Sequence, residues 1–275
     1  MSEQCAARIG VAVTISSARG NVRGATRNRF YCVASPKKLR IAATADIHYG
    51  KHTKGKMQEL FAQVSRDADV LLLCGDLTDY GLPEEAELLA ADIRGHARVP
   101  VIGILGNHDF ESAQADALRK VLEDAGVLVL DGEATVIDGV GFAGVCGFGG
   151  GFGRRMLNAW GEPLIKAYVQ EAIDQALRLE QALTQTPADR RVVLLHYAPI
   201  RATVEGESPE IFPFLGSTRL EEPLNRFRVS AAFHGHAHNG TPEGATATGV
   251  PVFNVSAPLL QKHSPDKQPF RVFEI

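Results

Sequence analysis

The 275-residue sequence has no run of about 20 consecutive apolar residues, which a membrane-spanning helix would need. The charge-free stretch from Gly139 to Gly153 has eight glycines in fifteen residues, a composition that favours a strand followed by a loop. The content of 45% apolar and 22% charged residues is typical of globular proteins and excludes collagen and a fully disordered chain. We therefore predict a globular protein without a membrane partner.

Cysteine is also scarce. The four cysteines (Cys5, Cys32, Cys74 and Cys146) lie far apart and form no CxxC pair. This spacing excludes a disulfide framework and a structural zinc site built on paired cysteines. It favours a reducing compartment, and we expect a cytoplasmic protein.

Acidic residues outnumber basic residues outside the first 40 positions. Residues 1–40 contain eight basic side chains and one acidic side chain, a charge of +7, so the total of −3 leaves −10 on residues 41–275. A nucleic-acid-binding protein needs basic surface to displace counterions, so this balance argues against nucleic acid as a partner. An acidic body is compatible with a site that collects metal cations. No coiled-coil pattern indicates an oligomeric state, which stays open.

Residues 1–38 are rich in Arg, Ser, Ala and Gly and show no sustained periodicity. This composition resembles an organellar transit peptide. A poorly ordered extension, or a start site placed too far upstream, explains it equally simply. We predict a disordered N-terminal extension over residues 1–38 and a single domain over residues 39–275.

The domain begins with alternating apolar strands and amphipathic helices, an order that implies parallel strands with helices packed outside. Its second half has shorter strands, one long helix and two long connections, at about 147–162 and 198–228. The predicted strands are 39–45, 69–74, 99–105, 127–130, 135–137, 140–146, 191–195, 230–233, 250–255 and 270–274, and the predicted helices are 54–66, one from Pro83, 111–125 and 163–183.

Aspartate, histidine and asparagine follow five of the predicted strands directly. The side chains at these strand ends are Asp46, His48, Asp76, Asp79, Asn107, His108, Asp109, His196, His234, His236 and His238. In open α/β sheets, ligands bind outside the carboxyl ends of the strands, so the five segments can converge on one edge. Burying so many polar groups is costly without partners, and metal ions supply them. The sequence therefore predicts a metal site.

Carboxylate and imidazole ligands without thiolates suit Mn, Fe, Zn, Co or Ni. The candidate ligands are numerous enough to hold two ions. One carboxylate must then bridge the two ions, and Asp76 is the candidate because it is central in sequence order. Two such ions can clamp a phosphoryl centre and generate a nucleophile near neutral pH.

The five blocks DxH, GDxxD, GNHD, a lone His and GHxH, in this order from Asp46 to His238, closely resemble the calcineurin-like metallophosphoesterase superfamily. The resemblance covers about residues 39–275. It implies an α/β fold, a four-layer αββα sandwich, with a centre of two divalent or mixed-valence ions (Mn, Fe or Zn) at the strand ends. It also implies hydrolysis of a small phosphoester through attack by a metal-bound hydroxide.

The resemblance also assigns roles by motif position. Asp46, His48 and His238 would hold the first ion. Asn107, His196 and His236 would hold the second, and Asp76 would bridge both. His108 would act beside the scissile phosphate as a catalytic residue, Asp79 would orient it, and Asp109 would support the loop.

Tyr80 departs from the pattern of the protein phosphatases in this superfamily, which have an arginine directly after GDxxD. Without that arginine to grip a phosphate dianion, we expect a phosphodiesterase acting on small diesters, of cyclic nucleotide or glycerophospho type. A broad-specificity phosphomonoesterase using the same site is the alternative. A DNA nuclease and a non-catalytic metal-binding scaffold fit less well, because the body is acidic and every ligand position is kept.

Two segments are candidates for selecting the substrate. The glycine-rich stretch from Phe148 to Arg155 is either a mobile lid or a surface turn. In the second connection, Phe212 and Phe214 either stack on a nucleobase or anchor the loop to the body.

Overall fold

The computed structural model describes residues 38–275, except Lys51, Lys54 and Lys56. Nearly all of the predicted N-terminal extension therefore lies outside the described residues. Within them, no helix is both long and apolar enough to cross a bilayer.

The first sheet is built from strands whose side chains are buried on both faces, as expected for parallel strands covered by helices. Strand β2, for example, has the continuous apolar sequence Val-Leu-Leu-Leu-Cys, and all five residues are buried. Four strands are parallel and the last strand of the chain pairs antiparallel with the first, in the order β11-β1-β2-β3-β4. The strands are β1 (Arg40–Thr44), β2 (Val70–Cys74), β3 (Val101–Ile104), β4 (Val127–Val129) and β11 (Arg271–Glu274).

Three helices cover the outer face of this sheet: α1 (Gln58–Asp67), α2 (Pro83–His96) and α3 (Ala115–Asp124). Helix α2 begins at its proline, as predicted. Helix α1 begins at Gln58 rather than at residue 54, because the chain turns at Gly55 with φ of +81°.

Helix α3 also begins later than predicted, at Ala115 rather than at residue 111. A 3₁₀ turn over His108–Phe110 precedes it, and Ala113 has the left-handed φ of +57°. A non-glycine residue in this conformation cannot continue a right-handed helix, so the helix starts afresh beyond it.

The second sheet has the order β5-β6-β7-β8-β10-β9, with parallel pairing at its centre and antiparallel pairs at both edges. Its strands are β5 (Glu133–Ile137), β6 (Val140–Gly144), β7 (Arg190–Leu194), β8 (Val229–His234), β9 (Glu243–Ala245) and β10 (Pro251–Asn254). The other helices are α4 (Pro163–Gln185), α5 (Phe212–Leu215), α6 (Glu221–Arg226) and α7 (Ala257–His263).

Three apolar cores separate four layers. The first joins α1–α3 to the first sheet, for example through Phe61 and Leu71. The second lies between the two sheets and includes Ile41 and Phe142. The third packs α4 and α6 on the second sheet around Leu179. This arrangement confirms the predicted αββα sandwich.

The two long connections contact each other. Gly150 N–H donates to the carbonyl of Pro213, and Gly153 N–H donates to Thr218 Oγ1. Arg219 donates to the carbonyl of Leu157. We call the joined segments 147–157 and 209–219 the cap.

Candidate metal centre

The predicted ligands lie at the carboxyl ends of strands from both sheets. Asp46, Asp76 and Asn107 follow β1, β2 and β3 of the first sheet. His196 follows β7 and His236 follows β8 of the second sheet. The parallel strands therefore bring all five segments to one edge of the sandwich, as the sequence predicted.

Asp46, His48 and His238 form a first cluster. One potential ligand atom from each lies within 4.8 Å of the other two. His238 Nε2 is 3.3 Å from Asp46 Oδ1, and Asp46 is buried. These are the residues that the motif pattern assigns to the first ion.

Asp76, His196 and His236 form a second cluster by the same criterion. His196 Nε2 lies 3.3 Å from Asp76 Oδ1 and 2.8 Å from the side-chain oxygen of Asn107. The structure thus brings Asn107 to this cluster too, and all four residues predicted for the second ion are together.

Asp76 lies between the clusters and is 1% exposed. Its Oδ1 faces His196, whereas its Oδ2 is 4.0 Å from His48 Nε2 and 4.0 Å from His108 Nε2. The two carboxylate oxygens therefore point to different clusters. This geometry fits the predicted bridging role.

Four of these residues have left-handed backbone conformations: φ is +55° at Asp46, +42° at His48, +49° at Asp76 and +68° at His236. Such conformations are uncommon for residues other than glycine, and they concentrate at functional sites where the surrounding structure enforces them. Here they turn consecutive strand-end side chains towards a common point.

Steric constraints explain why the GD, GN and GH blocks each contain a glycine. A Cβ on Gly75 would lie 2.5 Å from His196 Nδ1, and one on Gly106 would collide with the main-chain nitrogen and carboxylate of Asp76. A Cβ on Gly235 would collide with the carboxylate of Asp46. Each glycine thus lets a ligand from another block approach the backbone.

Main-chain carbonyls orient three imidazoles. His196 Nδ1 lies 3.2 Å from the Cys74 carbonyl, and His236 Nε2 lies 3.1 Å from the Phe214 carbonyl. A carbonyl only accepts, so the ring nitrogen facing it carries the proton and the other nitrogen can bind a metal. His108 Nδ1 donates in the same way to the carbonyl of Asp79, at 2.7 Å, and presents Nε2 to the site.

The electrostatics of the clusters fit bound cations. Burial, and next the electrostatic effect of the neighbouring His196 imidazole, lowers the pKa of His236 to about 3, so the His236 imidazole is neutral and able to coordinate. Burial raises the pKa of Asp46, but its hydrogen bond to His238 and the neighbouring histidines outweigh that effect and bring it to about 2.

Asp46 and Asp76 have only histidines as ion-pair partners among the described residues. The buried Nδ1 of His48 has no hydrogen-bond partner there. Two buried carboxylates surrounded by imidazoles lack compensating charge, which a pair of divalent cations would supply. The residues present therefore fit a two-metal centre.

The two remaining aspartates, Asp79 and Asp109, have different surroundings: Asp79 lies beside the histidines of the centre, and Asp109 is buried beneath the loops. The Asp79 carbonyl accepts from His108, while the Asp79 carboxylate lies 3.9 Å from His48 Nδ1, so the hydrogen bond that orients His108 comes from the main chain. Asp109 is fully buried and accepts hydrogen bonds from the Gly106, Leu77 and Thr78 main chain. Burial raises its pKa to about 6. Asp109 supports the loops, as expected.

His108 itself is partly exposed beside Asp76. Burial lowers its pKa, but the hydrogen bond to the Asp79 carbonyl and the carboxylates of Asp76 and Glu111 together raise it. Cations bound at Asp76 would offset that carboxylate's contribution.

A buried network holds the GHxH turn, and two of its members, Asn254 and Thr203, were missed by sequence reasoning. Asn254 Nδ2 donates to the Ala237 carbonyl at 2.8 Å, and His234 contacts the Gly235 carbonyl and Thr203 Oγ1, both at 2.8 Å. Asn254 ends β10 and so obeys the same strand-end rule as the ligands, which could have identified it. Thr203 lies in a loop and has no such signal.

The calcineurin-like phosphoesterase family model matches residues 39–240. No curated protein sequence matches the chain significantly.

Two solved structures resemble the fold. One is phosphopantetheinyl hydrolase from Mycobacterium tuberculosis, with a TM-score of 0.62 and 16% identity over 87% of this chain and 97% of the other. The second is GAP50, described as the anchor in the inner membrane complex of Plasmodium, with a TM-score of 0.52 and 13% identity over 80% of this chain and 72% of the other. The match over most of the chain shows that this protein belongs to the calcineurin-like phosphoesterase family of metal-dependent phosphoester hydrolases.

Proposed function

We propose that this protein hydrolyses small phosphodiesters with the help of two transition-metal ions. The observation that carries the proposal is the residue after the GDxxD block. Tyr80 stands there, 56% exposed, and its main-chain N–H donates to Glu85. A basic side chain at this position would strengthen the binding of a phosphate dianion. A diester carries one negative charge fewer at phosphorus, so its binding depends less on such a side chain.

The described residues around the centre support the same preference. Among the described residues, the ion-pair partners of the Asp46 and Asp76 carboxylates are histidines, with no lysine or arginine. Positive charge for the substrate would then come from the cations alone.

When bound, the two ions would act as Lewis acids that lower the pKa of a water and neutralise charge developing at phosphorus. Asp46, His48 and His238 would hold one ion, and Asn107, His196 and His236 the other, with Asp76 shared. Mn, Fe and Zn suit this mixed set of donors.

The chain's own residues complete the reaction. Water adds its oxygen to phosphorus, the bond from phosphorus to the ester oxygen breaks, and a monoester and an alcohol result. His108 would donate a proton from Nε2 to the departing oxygen, and the hydrogen bond from its Nδ1 to the Asp79 carbonyl supports this role. The short carbonyl contact keeps the imidazole aimed at the site throughout.

The test is a comparison of initial rates after metal removal and reconstitution with Mn²⁺. Bis(p-nitrophenyl) phosphate represents diesters and p-nitrophenyl phosphate represents monoesters, with His108→Ala as the control. We expect faster diester cleavage that falls at least about 100-fold in the variant, the usual contribution of a positioned acid or base. Faster monoester cleavage would instead support the broad-specificity phosphomonoesterase.

The natural diester is a further question within this proposal. A neighbour in fold is a phosphopantetheinyl hydrolase, so a phosphopantetheinyl ester belongs in the substrate panel beside cyclic nucleotides and glycerophosphodiesters. The buried, free thiols of Cys74 and Cys146 fit the cytoplasmic setting that the sequence favours.

A further inference from the structure

Phe212 and Phe214 lie two residues apart in the cap, but only Phe212 packs on an apolar core. The ring of Phe212 contacts Phe152, with centroids 6.4 Å apart, and the guanidinium of Arg201 lies 5.5 Å from its centroid. Phe212 also packs on the small core around Ala198 and Leu215. Phe214, by contrast, is 58% exposed. Phe212 therefore anchors the cap, and Phe214 does not.

The backbone at Phe214 is held directly beside a candidate metal ligand. The Phe214 carbonyl accepts the hydrogen bond from His236 Nε2 at 3.1 Å. The preceding Pro213 carbonyl accepts from Gly150 N–H at 2.6 Å and from the Tyr168 hydroxyl at 3.1 Å. These contacts fix the backbone that carries an exposed aromatic side chain beside the candidate ligand His236.

Further aromatic rings link Phe214 back to the same ligand. Tyr168 lies 6.1 Å from Phe214 and 4.8 Å from Phe148, measured between centroids. Phe148 lies 5.7 Å from Tyr197, which in turn lies 4.5 Å from His236. These separations are typical of tilted and edge-to-face aromatic pairs. We call Phe148, Tyr168, Tyr197 and Phe214 the aromatic wall.

Two more exposed aromatic side chains lie close in sequence to residues of the centre. Tyr80 follows Asp79, which holds His108, and Phe110, 47% exposed, lies two residues after His108. Among the described residues, Trp160 is the remaining strongly exposed aromatic side chain. Exposed aromatic side chains held near convergent polar groups are typical of sites that bind an organic ligand.

We propose that the aromatic wall, and the Phe214 ring in particular, determines specificity by contacting a planar aromatic group carried by the phosphoester. A nucleobase and an aryl group share this chemistry. This inference rests on the proposed function, because it assumes that the ligand is a phosphoester. Recognition of the aromatic group, however, can be measured by binding alone, without hydrolysis. Rings pre-oriented by Tyr168 and the cap lose little conformational freedom when they stack on such a group.

The test measures binding to the full chain reconstituted with Mn²⁺, by calorimetry, with three phosphonates that share one head group. These are phenylphosphonate, cyclohexylphosphonate and methylphosphonate. We expect phenylphosphonate to bind at least about fivefold more tightly than methylphosphonate, the lower range for stacking on one aromatic side chain. In Phe214→Ala and Phe214→Leu, this preference should fall below about twofold.

The main-chain carbonyl that orients His236 remains in both variants, so their metal content should equal that of the wild type. The matched control is Leu177→Ala, which removes an exposed apolar side chain of α4, outside the aromatic wall. This variant should keep the preference for phenylphosphonate. Either an unchanged preference in both Phe214 variants or equally tight binding of the cyclohexyl compound would overturn the proposal. Failure to hydrolyse any diester would contradict the proposed function alone, because the phosphonate affinities are measured without turnover.

Discussion

At the scale of single residues, the centre depends on two opposite properties of the backbone. Aspartate and histidine ligands occupy left-handed conformations that cost free energy, and glycines between them leave room where any side chain would collide. The motif glycines and the motif ligands are therefore one steric arrangement. Changing either type of residue should damage the same site.

Asp76→Asn tests the bridging carboxylate. The amide keeps the size of the side chain but has one oxygen and no charge, so it cannot serve both clusters equally. We expect the bound metal to fall from two ions per chain to one or fewer, measured by elemental analysis after dialysis. A variant that still holds two ions would contradict the bridge.

Gly106→Ala tests the steric argument, because the new methyl group would collide with Asp76. We expect a loss of about 1–3 kcal/mol in the free energy of unfolding, typical of overpacking, together with weaker metal binding. Gly95→Ala is the matched control, since nothing lies within 4 Å of a Cβ at this helical position of α2. That change should stabilise the protein by about 0.5–1 kcal/mol. Urea unfolding distinguishes the two.

At the scale of elements, helix α2 holds the loop that follows the first ligands. The buried Tyr49 hydroxyl donates to Asp92 of this helix, and Gln58 donates to the other carboxylate oxygen at 2.9 Å. Burial and the hydrogen bond to Asp92 raise the pKa of Tyr49 to about 12, so it stays a donor at neutral pH. Tyr49 follows His48 directly, so this pair connects α2 to the centre.

Tyr49→Phe should lower the free energy of unfolding by about 1–3 kcal/mol, because the buried Asp92 carboxylate loses one of its hydrogen-bond donors. The exposed Tyr80 has no hydroxyl partner among the described residues, and Tyr80→Phe should leave stability unchanged. Midpoints of urea unfolding compare the two variants. Equal midpoints would show that the Tyr49–Asp92 bond contributes nothing.

The sequence predicted elements with a strong apolar pattern and missed those defined by tertiary contacts. All ten predicted strands exist; most are buried apolar runs, whereas β5 and β11 alternate between intermediate and exposed residues at the sheet edges. Strand β9 (Glu243–Ala245) was missed because it has no apolar pattern and depends on pairing with β10. Helix α7 (Ala257–His263) was missed because seven residues are too few to show a helical period.

The candidate site shows the same division. Its ligands follow strands, so their convergence could be predicted, and the family pattern assigned them to ions. The direction of the Asp79 carboxylate could not be predicted, because neighbouring loops decide it. Nor could the aromatic wall, since Phe148, Tyr168, Tyr197 and Phe214 come from separate segments that meet only in the folded cap.

At the scale of the whole molecule, each ion would be held by both sheets. Asp46 and His48 belong to the first sheet's edge and His238 to the second, and Asp76 with Asn107 faces His196 and His236 in the same way. Metal binding should therefore stabilise the entire sandwich rather than one layer.

Removal of the ions with a chelator should lower the melting temperature. A ligand at 100 times its dissociation constant stabilises the native state by about 2.7 kcal/mol, which corresponds to roughly 5–10 °C for a protein of this size. Scanning calorimetry with added Mn²⁺ measures the shift, and Asp76→Asn should show a much smaller one. A melting temperature that is insensitive to metal would contradict a centre shared between the sheets.

Deletion of residues 1–37 should leave the melting temperature and kcat/KM unchanged. The described residues 38–275 include both sheets and every candidate ligand, and the family match begins at residue 39. The full chain is the reference for both measurements. A drop in stability would mean that the first 37 residues contribute to the folded domain.

The pairing of β1 with β11 has a consequence for how the protein is made. Arg40 pairs with Glu274, so the first strand of the chain gains its outer neighbour only when the last residues have been synthesised. The ligands after β1, β2 and β3 likewise leave the ribosome long before His236 and His238. A nascent chain can thus form neither a finished first sheet nor a full set of candidate ligands until the GHxH block and β11 have been synthesised, so we expect the metal centre to be completed late in folding.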